Sequence, residues 1–275
     1  IVPRVGRPGM LTPVALLQPV DVGGVTISRA TLHNADEVSR KDVRPGDTVR
    51  VIRAGDVIPE VEERLPRPGR KRQAPYTVPD ACPACGSAVY REGAYFFCPA
   101  GLACRPQLVG RIVHFASREA LDIDGLGEKT ALDLVEKNLV SDIADLYRLS
   151  VDQLKTLDGF AERAATALHA AIREARRPRL DRFLYALGIR HVGKRTAGIL
   201  AARYRTLADM TAADKGDLEK IEEIGPVIAG SVSRFFQDER NRRVLDRLQQ
   251  AGVRVSPMPS ENKNPPLADK TIVFT

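Results

Sequence analysis

The sequence contains no stretch from which a membrane anchor or an export signal could be built. No apolar run approaches the roughly 18 residues that a membrane-spanning helix needs. The first residues also lack the succession of charged, apolar and small residues that marks a secretory signal. These absences argue against a membrane partner, and we expect a cytoplasmic protein.

The chain has fewer acidic than basic residues. Lys and Arg number 42 against 35 for Asp and Glu, so the 275-residue chain has a formal net charge of +7. An Arg-rich, moderately basic surface favours a polyanionic partner such as nucleic acid. The same charge would also serve solubility alone, and composition does not separate the two. The length suits two or three small domains better than one core.

Both ends lack what a complete protein would show. The chain starts at Ile1 and not at Met, and Lys270 to Thr275 is an apolar, β-type run that no partner strand follows. An unpaired apolar strand promotes aggregation. We therefore expect a fragment whose sequence stops where a further domain begins.

Residues 1–75 have the pattern of β structure. Strand-like runs flank the turn at Gly23 and Gly24, and two more flank a turn at 54–56. Val49 and Val51 alternate with other residues, as in a half-buried strand. The pattern predicts a five-stranded OB-fold β-barrel, a fold that often binds nucleic acid strands.

The remainder of the chain predicts a multi-domain α+β protein. Residues 76–108 contain all the cysteines and form a small module. Residues 109–255 have apolar residues three and four apart, and Ser150 to Gln153 has the spacing of a capping box, so an all-α domain is expected. A Pro-rich linker at 256–267 and a new element at 268–275 follow.

A basic connector joins the first two zones. Its Pro and Gly residues disfavour helix and strand, which predicts a linker. Its cations are Arg64, Arg67, Arg70, Lys71 and Arg72, with no acid among them. A solvated tether and a segment in direct contact with phosphates remain equally open.

The four cysteines have the spacing of a metal site. They are Cys82, Cys85, Cys98 and Cys104. Two close pairs around a short loop can converge on one tetrahedral Zn²⁺. Two disulfides would be unusual in a cytosolic protein, and a redox pair would leave the second pair unexplained. Four thiolates close the coordination sphere, so the predicted zinc is structural. We expect Tyr90, Tyr95, Phe96 and Phe97 to pack around it, with stacking on bases as the alternative.

Small residues recur in the helical zone at intervals of 32 to 34 residues. Each is followed four residues later by Ala, which is typical of an internal repeat of helix, tight hairpin and helix. The pairs are Gly127 and Ala131, Ala161 and Ala165, Gly193 and Ala197, and Gly225 and Ala229. The sequence thus predicts four helix-hairpin-helix units, each with a helix before and after its turn.

Each hairpin offers backbone N–H groups and a positive helix end, which suit a phosphate oxygen. Lys129, Lys194 and Arg195 lie just inside second helices, where a cation is unfavourable to the helix dipole but useful to a phosphate. Contacts of this kind hold the nucleic acid backbone without reading bases. For a single hairpin, close packing of two helices remains the alternative.

The four hairpins differ in their first glycine. The first has Gly125 and Gly127, and the second has Gly159 but Ala161. The third and fourth have His191 and Glu223 at the position of the first glycine. We expect units one and three to hold phosphate best and unit four, at Gly225, to be mainly structural.

These elements resemble, in this order, the C-terminal part of a bacterial NAD⁺-dependent DNA ligase. The resemblance covers the whole chain, including the four-cysteine set. Its other strings are VGRPGMLTPVA, SRATLHNADE, RPGDTVRVIRAGDVIP, HFASREALDIDGLGEKT, ALGIRHVGKRTA and LADKTIVFT, the last similar to the first strand of the family's BRCT domain. The resemblance implies that the OB-fold and the hairpin domain wrap a nicked DNA duplex and that Arg7 belongs to a DNA-contacting stretch.

The resemblance also implies that the catalytic domain of the family lies outside this sequence. In the family, an adenylation domain with a Lys-x-Asp-Gly nucleophile uses NAD⁺ and Mg²⁺, so both cofactors belong to the intact enzyme only. The nearest string here is KTLDG, with one residue too many, and we interpret its Lys155 as a helix residue. We therefore expect no catalytic residue and no activity from this segment alone. The alternative is a DNA-repair scaffold that binds proteins and DNA without catalysis.

Overall fold

A computed structural model describes most of the chain. The described residues are 1–55, 57–69 and 71–258. The predicted strand at 268–275 and most of the predicted linker at 256–267 lie outside them. The chain divides into two compact units, of which the first comprises Ile1–His114 and Gly125–His169 and the second comprises Phe115–Asp124 and the residues from Ala170 onward.

The first unit begins with the five-stranded barrel that the sequence predicts. Its strands are β1 Val2–Val5, β2 Met10–Val22, β3 Val25–Thr31, β4 Thr48–Ala54 and β5 Ile58–Leu65. They pair in the order β1-β2-β3-β5-β4, and only the β3–β5 pair is parallel. Gly23 and Gly24 both have positive φ, of 58° and 77°, in the tight turn between β2 and β3. Helix α1, Ala35–Arg40, follows β3 and is capped by the Asn34 side chain.

The barrel has its own apolar core. Leu32 and Val61 are completely buried in it, and Val49 and Val51 pack against it half-buried, as their alternation predicts. At about 25 cal/mol per Å² of apolar surface, such burial is the main favourable contribution to folding. No cysteine belongs to this cluster of described residues, and from the cysteine zone only Tyr76, at its start, is among the described residues that pack against it.

The cysteine module extends the barrel sheet. Its hairpin consists of β6 Tyr90–Glu92 and β7 Tyr95–Phe97, and β7 pairs with the start of β2. The Cys98 N–H donates to the Gly9 carbonyl over 2.8 Å. A Cβ on Gly9 would lie 2.4 Å from the Cys98 carbonyl, so only glycine fits this joint. The sequence predicted two separate zones and not the seven-stranded sheet that joins them.

Ten helices occupy the described residues after the cysteines. They are α2 Arg105–Ala116, α3 Glu128–Glu136, α4 Val151–Lys155, α5 Glu162–Glu174, α6 Leu180–Ala186, α7 Lys194–Tyr204, α8 Leu207–Ala212, α9 Lys215–Glu219, α10 Pro226–Gln237 and α11 Glu239–Gln250. Short 3-10 turns lie at Gly101–Ala103 and Asp145–Arg148. The predicted capping box is formed, because the side chains of Ser150 and Gln153 each accept a bond from the other's backbone N–H.

Candidate nucleic-acid interface and metal centre

The four hairpins share one backbone geometry. The first position of each turn has a left-handed backbone, whether or not it is glycine. The φ angles are +80° at Gly125, +83° at Gly159, +67° at His191 and +68° at Glu223. A left-handed non-glycine residue costs roughly 1–2 kcal/mol, so units three and four retain the turn despite this strain. The repeat predicted from the sequence is confirmed.

The first hairpin differs from the others in the segment that leads into it. Three hairpins directly follow a short helix, α4, α6 or α9. The helix before the first hairpin is α2, which ends at Ala116, and residues 118–121 form turns between this helix and the hairpin. The hydrogen bonds there run from Ala120 and Asp122 back to the Ser117 carbonyl, and the residue at 122 has a φ of +55°. A left-handed residue at that point prevents the chain from continuing as a right-handed helix.

In three hairpins, the residue two positions after the left-handed residue is the N-cap of the second helix, and it has no capping side chain. Gly127, Gly193 and Gly225 are the N-cap residues of α3, α7 and α10, and no side chain accepts from the N–H groups that follow. The short helices before two hairpins are instead capped by Ser150 and Asp214. Free N–H groups at a helix start bind anions, so the uncapped ends are candidate phosphate sites.

The space around these glycines separates the two explanations for small residues. A Cβ built on Gly127, Gly193 or Gly225 would meet no described atom within 4 Å beyond its own chain neighbours. Packing within the chain therefore does not require glycine there. The small residues that packing does require are the alanines four positions later, which are all completely buried: Ala131, Ala165, Ala197 and Ala229.

Exposed cations occupy the same position in the second helices of three hairpin units. Lys129, Arg163 and Arg195 are each the second residue of their helix and are exposed to solvent. The sequence analysis missed Arg163, although it lies 34 residues after Lys129, the spacing of the first two hairpins. The corresponding residue of the fourth unit is Val227, whose exposed fraction is 62%. This apolar residue agrees with a weaker role for unit four in holding phosphate.

Two cations of the third hairpin already have acidic partners. Lys194 Nζ lies 2.7 Å from Glu119 Oε1, and Arg195 Nη2 lies 2.6 Å from Glu223 Oε1. The hydrogen bond from Lys194 lowers the pKa of Glu119, and the hydrogen bond to Glu223 raises the pKa of Arg195. Both pairs are exposed. A phosphate that binds here must therefore compete with two carboxylates.

Arg7 lies in the segment between β1 and β2. It is half-buried, and a Cβ on Gly110 of α2 would lie 3.0 Å from the Arg7 Cβ. Glycine at 110 thus lets α2 pass close to the chain segment after β1. The structure places Arg7 in this packing contact, and its role on DNA stays a prediction.

The four cysteines converge as a tetrahedral site requires. All four Sγ atoms lie within 4.8 Å of one another, with 4.0 Å between Cys82 and Cys104 and 3.5 Å between Cys85 and Cys98. A Zn–S bond of about 2.3 Å implies sulfur separations of about 3.8 Å in a tetrahedron. Burial raises the pKa of the Cys104 thiol to about 12, so a thiolate there needs a cation beside it. The donor set fits a structural metal.

The aromatic residues of the module are placed differently from the prediction. Phe96 packs against the cysteine cluster and Phe97 is buried. Tyr90 and Tyr95 are instead 45% and 42% exposed. The reason is that among the described strands β6 pairs only with β7, so the hairpin ends at an edge of the sheet.

Lys155 is the last residue of α4, as the sequence analysis interpreted it. Hydrogen bonds to Glu162 and Asp152 raise its pKa above the ordinary value for lysine. A lysine nucleophile requires a lowered pKa. The surroundings of Lys155 therefore favour a protonated surface residue over a nucleophile.

Comparisons with known proteins agree with this geometry. The chain is 48% identical over its whole length to a DNA ligase of Syntrophus aciditrophicus (strain SB). It is 49% identical, again over its whole length, to one of Alkalilimnicola ehrlichii. Residues 1–73 match the NAD-dependent DNA ligase OB-fold domain. Residues 1–73 are therefore similar to the OB-fold domain of NAD-dependent DNA ligases, and the whole chain is similar to a part of two proteins named DNA ligase.

Two further family models match the hairpins. Residues 117–174 match a SAM-like helix-hairpin-helix tandem, and residues 182–245 match a helix-hairpin-helix motif. The chain covers 41% of each of these two ligases, and so spans about two-fifths of the curated relatives that it matches. None of the helices in the described part of the chain has the length and apolar content that crossing a bilayer requires.

Proposed function

We propose that residues 1–275 are the DNA-gripping part of an NAD-dependent DNA ligase. The observation that carries this proposal is the open space at Gly127, Gly193 and Gly225, where uncapped helix ends meet solvent. Phosphate oxygens of a DNA backbone fit these ends, because they can accept from the N–H groups without meeting a side chain. Since such contacts do not read bases, the protein binds nicked duplex with little sequence preference.

The proposal assigns a role to each part of the chain. The barrel at 1–75, with Arg7, and the helical domain at 109–255 hold the duplex. Lys129, Arg163 and Lys194 add charge beside the hairpins. The four cysteines of the module at 76–108 hold a structural Zn²⁺, which stabilises a segment too small to fold on apolar burial alone. Residues 256–267 then lead to a BRCT domain.

The sealing chemistry belongs to the intact enzyme. There, NAD⁺ supplies an AMP group to a Lys-x-Asp-Gly lysine of the adenylation domain, with Mg²⁺ as the second cofactor. The AMP passes to the 5′-phosphate at the nick, and the 3′-OH displaces it. Residues 1–275 contain no Lys-x-Asp-Gly string. They position the nick for the adenylation domain in the bacterial cytoplasm and do not seal it alone.

The first test is the salt dependence of binding. We expect the folded, zinc-loaded chain to bind a nicked duplex at low salt. If each hairpin contacts one phosphate, log K falls with log salt with a slope of about −4, since each contact contributes about −0.9. Fluorescence anisotropy with two unrelated duplex sequences measures both slope and preference. Absence of binding at low salt would contradict the proposal and favour a protein-binding scaffold.

The Glu119 carboxylate competes with phosphate for Lys194, which gives a second expected result. Glu119→Gln should tighten binding to nicked duplex about two- to fivefold, because an exposed ion pair competes only weakly with phosphate. The matched control is Glu136→Gln, an equal charge change at an exposed residue at the end of α3. An equal gain in both variants would show an effect of net charge only and would contradict the competition.

A further inference from the structure

The connector after β5 contains cations that the hairpins do not involve. We call Arg64, Arg67 and Lys71 the connector patch. Arg64 is the half-buried residue before the end of β5, and the other two are exposed on the segment that follows. The sequence leaves open whether this segment is a free tether or a phosphate contact. The structure shows that it is not free, because a neighbouring residue attaches it to the barrel.

Arg72 is that attachment. Its Nη2 lies 2.8 Å from Asp47 Oδ2 and its Nε lies 3.2 Å from Asp47 Oδ1, which is a bidentate pair. Its other amino group donates to Asp42 Oδ2. The Asp47 side chain is only 10% exposed, so this pair is less screened by solvent than the surface pairs. The clamp fixes the far end of the connector to the loop between α1 and β4.

The clamp also leaves the exposed cations of the connector patch without neutralising partners. Asp42 and Asp47 are both occupied by Arg72, and Asp42 also binds Arg44. No residue of the patch forms an ion pair within the part of the chain that the structure describes. Arg64 does interact electrostatically with Asp47 and helps to lower the pKa of its carboxyl. The positive charge without an acidic partner among the described residues is therefore that of Arg67 and Lys71, on the segment held against the barrel.

A small cavity opens where the patch and the clamp meet. Its volume is about 60 Å³, and its lining includes Arg64, Arg67, Lys71 and Arg72 together with Asp47, the acidic partner of Arg72. Since roughly 10–15 Å³ suffices for one water, the cavity has room for a group with several oxygen atoms. The lining contains no aromatic side chain on which a base could stack. A phosphate group fits this combination of size and charge.

We propose that the connector patch binds a backbone phosphate of the duplex that the hairpins hold, with Arg72 as the positioning residue. This inference rests on the proposed function and adds a phosphate contact on the barrel side of the chain. The clamp holds the cations in place before DNA arrives, which reduces the ordering cost that a Pro- and Gly-containing segment would otherwise incur on binding.

The test removes the two exposed charges of the patch. Arg67→Gln with Lys71→Gln is expected to make the salt slope shallower by about one, since one phosphate contact contributes about 0.9. The control, Arg40→Gln with Arg50→Gln, removes two exposed barrel arginines that have acidic partners. It should leave the slope within about 0.5 of that of the unmodified chain, less than one contact. An unchanged slope in the patch variant would overturn this inference alone, whereas an unmodified chain that fails to bind would overturn the proposed function too.

A second variant tests the clamp. Asp42→Asn with Asp47→Asn makes the chain more positive, so diffuse electrostatics would tighten DNA binding. Our inference gives the opposite result: a freed connector, faster trypsin cleavage after Lys71 and weaker binding, by about threefold or more. Circular dichroism checks that the barrel is folded. Tighter binding, or unchanged cleavage at Lys71, would overturn the positioning role of Arg72.

Discussion

Aspartate at both Gly127 and Gly193 is expected to weaken binding to nicked duplex at least about a hundredfold without unfolding the protein. Both residues have the extended backbone of an N-cap, with φ near −85°, and have open space at the Cβ position. Aspartate is a favoured N-cap, because its carboxylate accepts from the first N–H groups of the helix. In these variants the carboxylate takes the place that we assign to phosphate. Each lost charge-assisted contact costs about 1.5–3 kcal/mol, or about ten- to a hundredfold.

The same substitutions should change stability in the opposite direction. A capping side chain in place of glycine adds a few tenths of a kcal/mol per helix, which urea unfolding can measure. The control is Gly198→Asp in α7, one turn inside the helix, where a Cβ also meets no described atom within 4 Å. This change adds the same charge as each single Gly→Asp substitution without reaching the helix start, and it is compared with Gly193→Asp alone. Undiminished affinity in the folded double variant would place the phosphate contacts elsewhere.

Loss of the metal is expected to unfold the cysteine module while the barrel persists. Purified protein should contain one Zn²⁺ per chain, and Cys104→Ser or a strong chelator should remove it. The module has few apolar contacts besides the cysteines themselves. Zinc binding contributes about 10–16 kcal/mol in isolated zinc-finger peptides, so its loss exceeds what the remaining contacts of the module can offset. Elemental analysis measures the metal.

Hydrogen exchange then shows where structure is lost. The Cys98 N–H, which donates to Gly9, should lose its protection. The Leu32 N–H, which donates to the Pro13 carbonyl in the barrel, is the internal control and should keep it. A metal-free protein with both amides protected would contradict a structural zinc. Loss at both sites would show that barrel and module unfold together, against the separate cores seen here.

The repeat of the hairpins was predictable because it depends on local chemistry. In each unit a left-handed turn residue is followed by a helix and a buried Ala, and the number of residues between these features is the same in every unit. Gly125 and Gly159 indicate the left-handed position in the sequence itself, because glycine adopts a positive φ readily. His191 and Glu223 do not, yet both adopt positive φ because the packing around Ala197 and Ala229 holds the turn. The strain at these two residues is therefore visible only in the structure.

Contacts between distant segments were not predictable in the same way. Glu119 lies 75 residues from its partner Lys194, and no sequence period connects them. The pairing of β7 with β2 likewise depends on a carbonyl that meets Gly9 from another module. Exposure of Tyr90 and Tyr95 follows from β6 being an edge strand of the described sheet. Arg163 is the exception, because its position follows from the spacing of the repeat, 34 residues after Lys129.

The amino-acid order alone determined the elements of this protein: the barrel strands, the spacing of the cysteines and the period of the hairpins. Each of these depends on residues close in the chain, where turn geometry and helix or strand periodicity act directly. Only the tertiary structure decided which glycines meet solvent and which alanines are buried. It also decided which cations keep acidic partners and where the connector is attached, because these properties depend on atoms that long-range folding brings together.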